Sequence, residues 1–382
     1  MEKMSLIAPC HFGLEAVLKK EIYDLGYDIE SVSDGRVTFL ADAEGLCRSN
    51  IGLRSAERVL IKVGSFTATT FDELFEGVKA LHWEDYIPED GKFWVKKASS
   101  VKSKLFSPRD IQSIVKKAIV DRLKGVYNTD WFTEEGNEYP LRVSIMKDEV
   151  TIGLDTSGES LHKRGYRQFR SDAPISETLA AALLMLTPWR SDRILVDPFC
   201  GCGTFPIEAA LMAANIAPGV NRDFTACSWD NLINGKTWRE AFDEARDLED
   251  INVDTDIQGY DIDGEIVKAA RKNAALAGVE KLIHFQQRDV ADLSHPKRYG
   301  FIVTNPPYGE RISDKKDLPA LYKTFGDAAW RLSDWSVYVI SSYEDVERYM
   351  GRKATKNRKI YNGMMKTYYY QFIGSPPNKV KK

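Results

Sequence analysis

The sequence predicts an α/β protein in which a doubly wound, mostly parallel sheet follows a smaller α+β half. From residue 194 onward, short apolar strands alternate with helical segments, as in a parallel sheet. The first of these strands breaks into a glycine turn within VDPFCGCGTFPIEAAL at 196–211, and a later one ends in IVTNPPYGER at 302–311. A glycine turn directly after such a strand is typical of a ligand-binding edge.

Composition indicates an ordinary globular protein. The chain has 382 residues, 43% hydrophobic and 29% charged, which is enough for two or three packed domains. No apolar stretch approaches the roughly 20 residues that cross a bilayer, so we expect a cytoplasmic protein without a membrane partner. The net charge of −3 excludes coating of nucleic acid by bulk positive charge, so any such affinity requires a local basic patch.

The cysteines predict neither a disulfide framework nor a metal site. Their number is odd, and no second cluster completes a zinc site. A metal-chelating pair at 200 and 202 is the alternative, but small side chains in a tight turn explain the pair better. We therefore expect reduced thiols and no bound metal. The cysteines are Cys10, Cys47, Cys200, Cys202 and Cys227.

The N-terminal half divides into two α+β modules. The first contains the strand MSLIAPC, a helix that stops at Gly26, and the strand GRVTFLA. The second contains the basic strand KFWVKKAS, a helix that starts at Pro108 with Ser107 as its N-cap, and the strand pair LRVSIMKDEVTIGLDT. The predicted boundaries are a first module at 1–65, a second at 66–158, a linker at 159–175, a catalytic domain at 176–375 and a polar tail at 376–382.

The C-terminal half contains the alternating elements in order. RILVDPF, DIQGYDID, KLIHFQQRD, GFIVTNPPY, WSVYVISS and MKTYYYQFIG are the predicted strands, with helices at FPIEAALMAANI, GEIVKAARKNAALAG and LPALYKTFGDAAWRL. Residues 217–255 delay the second strand beyond the usual length of a connection, and we interpret them as an insertion.

Three carboxylates follow three successive strands and predict a cofactor site. Asp197 can meet a charged amino-acid end, Asp261 can accept from two ribose hydroxyls, and Asp289 can accept from an adenine amine. Gly201 and Gly203 let the backbone approach the ligand closely. A short G-x-G would also suit a dinucleotide, but the loop reads GCGT rather than G-x-G-x-x-G. Asp263 is better explained as a helix N-cap.

The tetrapeptide NPPY predicts methyl transfer to a planar amine. The lone pair of an exocyclic amine is delocalised into its ring, so acceptors for its N–H groups must localise that pair. The Asn305 side-chain carbonyl and the Pro306 backbone carbonyl supply such acceptors, and Pro306 with Pro307 stiffens the loop. Tyr308 offers a ring that stacks on a flipped base. With the strand-end acids, this pattern indicates S-adenosylmethionine as cofactor.

At these residues the chain resembles class I methyltransferases of the amino-methylating group. Residues FWVKKASSVKSKLFSPRDIQSIVKKAIVDRLK and LRVSIMKDEVTIGLDTSGESLHKRGYR resemble a THUMP domain, an RNA-binding module. Together with DPFCGCGTFPIEAA and TNPPYGER, the whole chain is similar to the bacterial 23S rRNA guanine-N2 methyltransferases, often labelled N6-adenine-specific DNA methylases. The resemblance implies a Rossmann-like domain with an antiparallel C-terminal strand, preceded by ferredoxin-like and THUMP modules.

The same resemblance implies further site residues. The helix in SETLAAALL closes over the methionine end of the cofactor, with Thr178 as a contact, and Thr204 completes the glycine loop. RNA is the expected partner, rRNA before tRNA. The basic residues of the THUMP segment and linker are candidates for phosphate contacts, although a solvated interdomain strap explains the linker pair equally well. These candidates are Lys96, Lys97, Lys102, Lys104, Arg109, Arg164 and Arg167.

Several other functions remain compatible with these motifs. A single methyltransferase domain is equally similar to tRNA guanine-N2 enzymes, and NPPY also occurs in adenine-N6 enzymes that act on RNA or DNA. A protein glutamine methyltransferase leaves the basic N-terminal module without a use. A noncatalytic RNA-binding assembly factor is the alternative from another class, against which the intact Asp197, Asp261, Asp289 and Asn305 argue.

Overall fold

A computed structural model describes residues 3–169, 175–308, 316–363 and 365–376. Within these ranges the chain forms two compact units, each with its own seven-stranded sheet. The first unit comprises the described residues of Met1–Pro9, Lys19–Leu161 and Asp223–Glu244. The second comprises those of Cys10–Leu18, His162–Arg222 and Ala245–Lys382.

The sheet of the first unit has the strand order β2-β3-β1-β4-β7-β6-β5. Only β5 and β6 are parallel neighbours; every other neighbouring pair is antiparallel. The strands are β1 (Met4–Pro9), β2 (Asp28–Ser33), β3 (Arg36–Ala41), β4 (Leu60–Thr67), β5 (Lys92–Val101), β6 (Glu138–Met146) and β7 (Glu149–Asp155). The first four helices are α1 (Glu15–Asp24), α2 (Ala43–Gly52), α3 (Phe71–Lys79) and α4 (Pro108–Tyr127).

Local sequence signals account for the helix starts of the first unit. Thr70 and Glu73 form a capping box at the start of α3, each side chain bonding the other's backbone N–H. Ser107 caps α4 through the Asp110 N–H, and Pro108 occupies the first turn as predicted. The strand β4 spans the predicted boundary at residue 65, so the two N-terminal modules share one continuous sheet.

The sheet of the second unit has the order β10-β9-β8-β11-β12-β14-β13. The first five strands in this order are parallel, and β14 is antiparallel to both of its neighbours. The strands are β8 (Leu195–Asp197), β9 (Ile257–Asp261), β10 (Ile283–Gln287), β11 (Phe301–Thr304), β12 (Ser336–Ser341), β13 (Lys356–Asn362) and β14 (Met365–Phe372). The remaining helices are α5 (Glu177–Met185), α6 (Thr204–Ala213), α7 (Gly235–Asp247), α8 (Gly264–Leu276), α9 (Leu318–Ala329) and α10 (Val346–Met350).

Both faces of this second sheet are buried. Along β11, Val303 belongs to one apolar cluster with α5 and α6, whereas Ile302 belongs to another with α9. Alternate residues of a strand point to opposite faces, so a parallel sheet covered by helices needs apolar residues at every position. The predicted doubly wound sheet with an antiparallel C-terminal strand is therefore confirmed.

Two strands and the unit boundaries were not predicted. The edge strand β2 reads DIESVS and lacks an apolar face, and β13 is rich in lysine, arginine and asparagine. The predicted insertion contributes Asp223–Glu244 to the first unit, and Cys10–Leu18 belongs to the second. Each compact unit is thus built from separate stretches of the chain, and the linear domain boundaries stay a prediction. Most of the polar tail lies outside the described residues.

All five cysteines lie in the described part of the chain and are in the reduced thiol form. Among the described residues, no group of three or more histidine, cysteine or acidic side chains could hold a metal ion. In the same part of the chain, no helix has the length and apolar character that a membrane span requires.

Candidate functional site

The predicted site residues converge at one edge of the second sheet. The strands β8, β9, β10 and β11 are parallel, so their carboxyl ends lie side by side. Asp197 ends β8, Asp261 ends β9, and Asn305 directly follows β11. Asp289 comes two residues after β10. The structure therefore brings the three acids and the tetrapeptide to the same edge.

The glycine turn after β8 is bound to the end of β9. The Cys200 N–H donates to the Tyr260 carbonyl at 2.8 Å, and the Gly201 N–H donates to Asp261 Oδ2 at 3.0 Å. Gly203 has φ of +92°, and a Cβ there would lie 3.1 Å from the ring of Phe285. The left-handed backbone favours glycine at 203, and a side chain there would also press on Phe285.

Asp261 is ordered by backbone donors. Its Oδ1 accepts from the Asp263 N–H at 3.0 Å, while its Oδ2 holds the glycine turn. Burial raises the pKa of Asp261, and these backbone hydrogen bonds oppose that rise. Each carboxylate oxygen retains a second lone pair, so the residue fits the predicted acceptance from ribose hydroxyls. Asp263 caps α8 through the Glu265 N–H, as the sequence indicated.

Asp197 connects the glycine turn to the tetrapeptide strand. Asp197 is 2% exposed, and its carboxyl accepts from the Phe199 N–H at 3.1 Å and from the Thr304 hydroxyl at 2.5 Å. Burial raises its pKa to about 7, with a smaller contribution from the charge of Asp261. Thr304 was not predicted as a site residue, and its position directly before NPPY was the available signal.

Asn305 presents an acceptor without a donor. Its side-chain oxygen is shielded from water and accepts no hydrogen bond from any residue in the described part of the chain. A shielded acceptor left unpaired costs about 1–3 kcal/mol, which a ligand N–H at this position would recover. Next to it, Pro306 is buried, Pro307 is exposed and Tyr308 is half-buried. The geometry fits the predicted role of the tetrapeptide.

The remaining predicted cofactor residues differ in accessibility. Asp289 is exposed and caps the 3₁₀ turn Val290–Asp292 through the Ala291 N–H at 2.8 Å. Thr204 begins α6 but is buried, as is Thr178 in the first turn of α5. Their roles in cofactor binding stay predictions.

The predicted phosphate contacts of the linker arginines are contradicted by their burial. The Arg164 side chain is 3% exposed, and its Nε lies 3.5 Å from Oε1 of the fully buried Glu208. The Arg167 side chain is 12% exposed, and its Nε lies 3.0 Å from Glu177. It also donates to the Thr204 hydroxyl. Arg167 therefore bridges α5 and α6, and Arg164 pairs with α6, so neither side chain faces a polyanion.

Two residues near this cluster, Glu208 and His11, were not predicted from the sequence. The Tyr166 hydroxyl donates to Glu208 Oε1 at 3.0 Å, so the same oxygen contacts both Tyr166 and Arg164. His11 lies 3.2 Å from the hydroxyl of Ser176, the residue that caps α5. The acidic residue within the apolar run FPIEAAL was a signal for Glu208, whereas no sequence pattern pointed to His11.

The predicted RNA-binding residues of the first unit lie on β5 and the loop that follows. All five, Lys96, Lys97, Lys102, Lys104 and Arg109, are exposed. Lys96 donates to the Gly158 carbonyl at 3.0 Å. None of the five forms an ion pair with a residue that the structure describes. Their exposure is compatible with phosphate binding, which stays a prediction.

The parallel sheet, the strand-end acids and the NPPY tetrapeptide define a Rossmann-like methyltransferase whose methyl donor is S-adenosylmethionine. Family models match an RMKL-like methyltransferase domain at residues 164–371, an RlmL ferredoxin-like domain at 5–60 and a THUMP domain at 68–155. The chain belongs to this RMKL-like family of THUMP-containing methyltransferases.

Similar proteins carry related names. YpsC of Bacillus subtilis (strain 168), provisionally named an RNA methyltransferase, is 50% identical over 97% of this chain and 96% of its own. The ribosomal RNA large subunit methyltransferase K/L of Marinomonas sp. (strain MWYL1) is 31% identical over 95% of this chain and 52% of its own, so the chain spans about half its length. A solved structure titled SMU.472, a methyltransferase complexed with SAH, is 43% identical with a TM-score of 0.92, covering 98% of this chain and 99% of its own.

Asp197→Asn should flatten the pH dependence of stability. The folded state binds a proton at Asp197 that the unfolded state, with a pKa near 3.8, releases. The wild-type free energy of unfolding should therefore fall between about pH 4 and 7, by a few kcal/mol in total, and level off above. Urea unfolding between pH 5 and 8.5 measures this slope. Asp289→Asn, at an exposed strand end, is the control, and equal slopes in wild type and Asp197→Asn would contradict the assignment.

Arg164→Met should destabilise the protein by about 3–5 kcal/mol at pH 7. The substitution leaves the carboxylate of Glu208 buried without its cation, and the Tyr166 hydroxyl alone does not neutralise it. Thermal and urea unfolding measure the loss. Arg190→Met removes an exposed arginine paired with Asp192 and should leave stability nearly unchanged. Equal effects of the two substitutions would exclude a buried ionic cluster.

Proposed function

We propose that the chain transfers a methyl group from S-adenosylmethionine to the exocyclic N2 amine of a guanine in RNA, with 23S rRNA as the substrate. The observation that supports this most directly is the unpaired, shielded oxygen of Asn305 at the end of β11. An acceptor in that state fits a ligand that brings an N–H group to it.

The chemistry requires that the amine be held and its lone pair directed. Hydrogen bonds from the amine N–H groups to the Asn305 oxygen and the Pro306 carbonyl draw the lone pair out of conjugation with the base. The bound cofactor supplies an electrophilic methyl group on a good leaving group, so positioning and exclusion of water provide most of the rate enhancement. Asp197, Asp261 and the turn at 200–203 are the residues that would hold it.

Tyr308 and Thr304 act on either side of the acceptor. The half-buried ring of Tyr308 can stack on a base removed from its helix, which orders the amine in the plane of the acceptors. Thr304 fixes the start of the tetrapeptide by its hydrogen bond to Asp197. The site needs no strong general base, because the amine loses its proton after the new bond to carbon has formed.

RNA as substrate is supported by the N-terminal unit. A THUMP domain matches residues 68–155, and the relatives from Bacillus and Marinomonas are named for RNA and ribosomal RNA. Because the net charge of the chain is negative, RNA binding requires a local basic patch, and the basic residues of β5 and its following loop supply one. Transfer RNA remains the principal alternative substrate, and the experiment below separates the two.

Asn305→Ala should lower methyl transfer by roughly 10²–10³-fold, because one fixed acceptor for the amine is lost. Affinity for S-adenosylhomocysteine, measured by calorimetry, should stay within about twofold, since Asn305 is not among the proposed cofactor residues. The activity is read by mass spectrometry of nucleosides in ribosomal and transfer RNA from a deletion strain that expresses either form.

The nucleoside pattern tests the base and the RNA class together. Asn252, an exposed asparagine between α7 and β9, provides the matched control. The expected result is loss of N2-methylguanosine from the ribosomal fraction, restored by the wild type and by Asn252→Ala but not by Asn305→Ala. Loss of N2-methylguanosine from the transfer fraction would show that the substrate is transfer RNA. Loss of N6-methyladenine instead would show that the target base is adenine, and unchanged nucleosides in both fractions would refute the proposal.

Replacing Lys97 and Lys104 with glutamate should weaken RNA binding by at least roughly tenfold near 150 mM salt and reduce its salt dependence. Cofactor affinity should not change. Lys92→Glu with Lys124→Glu is the matched control, since both lysines belong to the same unit but pair with Glu138 and Asp130. Fluorescence anisotropy across a salt series measures RNA binding by both double variants. If RNA binding is weakened equally in the two, Lys97 and Lys104 do not belong to the binding surface.

A further inference from the structure

The loop between β5 and α4 presents an apolar ring to solvent on a fixed backbone. Phe106 is 82% exposed, whereas its neighbour Leu105 is 5% exposed and anchors the loop. On the other side, Ser107 caps α4. The ring of Phe106 therefore projects from between two fixed residues and does not belong to the core.

Hydrogen bonds hold this loop in place. The Ser100 hydroxyl donates to the Leu105 carbonyl. The Lys104 N–H donates to Asp148 Oδ1 at 2.7 Å, and the Asp148 N–H donates to the Ser103 hydroxyl at 3.0 Å. Because the loop is tied to its own strand and to the β6–β7 turn, Phe106 loses little further backbone entropy when it meets a ligand.

Most of the charged side chains on the loop of Phe106 and on the adjoining elements are positive, although Asp110 and Asp148 also lie on these elements. An exposed phenylalanine alone is ordinary on a protein surface, so its surroundings decide its meaning. Five exposed cations lie on β5, on this loop, at the start of α4 and in the β6–β7 turn, and none forms an ion pair with a residue that the structure describes. They are Lys97, Lys102, Lys104, Arg109 and Lys147.

Other lysines of the same unit behave differently. Lys62, Lys79, Lys92, Lys116 and Lys124 each pair with a carboxylate within the unit. The second highly exposed aromatic residue, Trp131 at 79%, follows Asp130 and precedes Glu134 and Glu135. Phe106 thus differs from Trp131, a comparably exposed ring, in that several lysine and arginine side chains without ion pairs to the described part of the chain lie on its own loop and on the adjoining elements.

We propose that Phe106 is a stacking platform for an unpaired RNA base, with the surrounding cations on the flanking phosphates. The inference rests on the proposed function in taking RNA as the substrate. A phenyl ring has no hydrogen-bonding group, so it accepts any base whose face is free. The bases of a continuous duplex are already stacked on each other, and this surface should therefore select single-stranded nucleotides or the end of a helix.

Phe106→Ala in the full chain should weaken binding of a fluorescein-labelled ten-nucleotide oligoadenylate by roughly 5- to 100-fold, as expected for one lost base stack. Binding of a blunt ten-base-pair RNA duplex should change by less than about twofold. Phe106→Tyr should restore oligoadenylate binding, because it keeps the ring. The salt dependence should match wild type, since no charge is removed. Anisotropy titrations measure all four quantities.

Trp131→Ala provides the control for loss of an exposed ring, and it should bind both probes as wild type does. Unchanged oligoadenylate affinity in Phe106→Ala, equal losses in Trp131→Ala, or no binding of the wild type to either probe would overturn the proposal. Unchanged affinity would leave a protein partner as the occupant of this loop. The binding readout is independent of methylation, so a failure to find N2-methylguanosine would refute the proposed function without affecting this result.

Discussion

The hydrogen bond between the Thr304 hydroxyl and the Asp197 carboxyl is the interaction on which the site depends. It joins β8 to β11, which also pair as parallel strands at Val196 and Ile302. Asp197 lies just before the glycine turn in the sequence, and Thr304 directly precedes Asn305. Since a reaction of this kind depends on placing two groups rather than on a strong base, the bond fixes the distance between the two halves of the site.

This arrangement has an electrostatic cost that is confined to one edge of the sheet. Burial raises the pKa of both Asp197 and Asp261, and the charge of Asp261 further disfavours ionisation of Asp197. Burial likewise raises the pKa of the Cys200 thiol, so this cysteine stays neutral and acts as a small side chain in the turn. The glycine turn and Thr304 supply hydrogen bonds that offset part of the cost.

The positions of the strand-end acids and of NPPY could be predicted from the sequence. Their motifs specify a turn conformation directly after a strand, and the carboxyl ends of parallel strands meet at one edge of the sheet. The burial of Arg164 and Arg167 could not be predicted, because the sequence of a basic cluster does not show whether its side chains face solvent or a carboxylate distant in sequence. Their partners, Glu208 and Glu177, are the only charged residues of two otherwise uncharged, mostly apolar helices. The edge strand β2 was missed because its charged, exposed residues carry no apolar alternation.

The exchange of segments between the units determines how the chain can be divided and in what order it can fold. Leu14 and Val17 are buried in the core of the second unit, nearly 200 residues before α6 and more than 300 before β13. During synthesis this segment leaves the ribosome long before its partners exist, so the second unit cannot complete its core until β13 and β14 have been synthesised. For the same reason, a fragment cut at the linker would expose a groove in that core, and transplanting the catalytic half onto another RNA-binding module would require the N-terminal segment to travel with it.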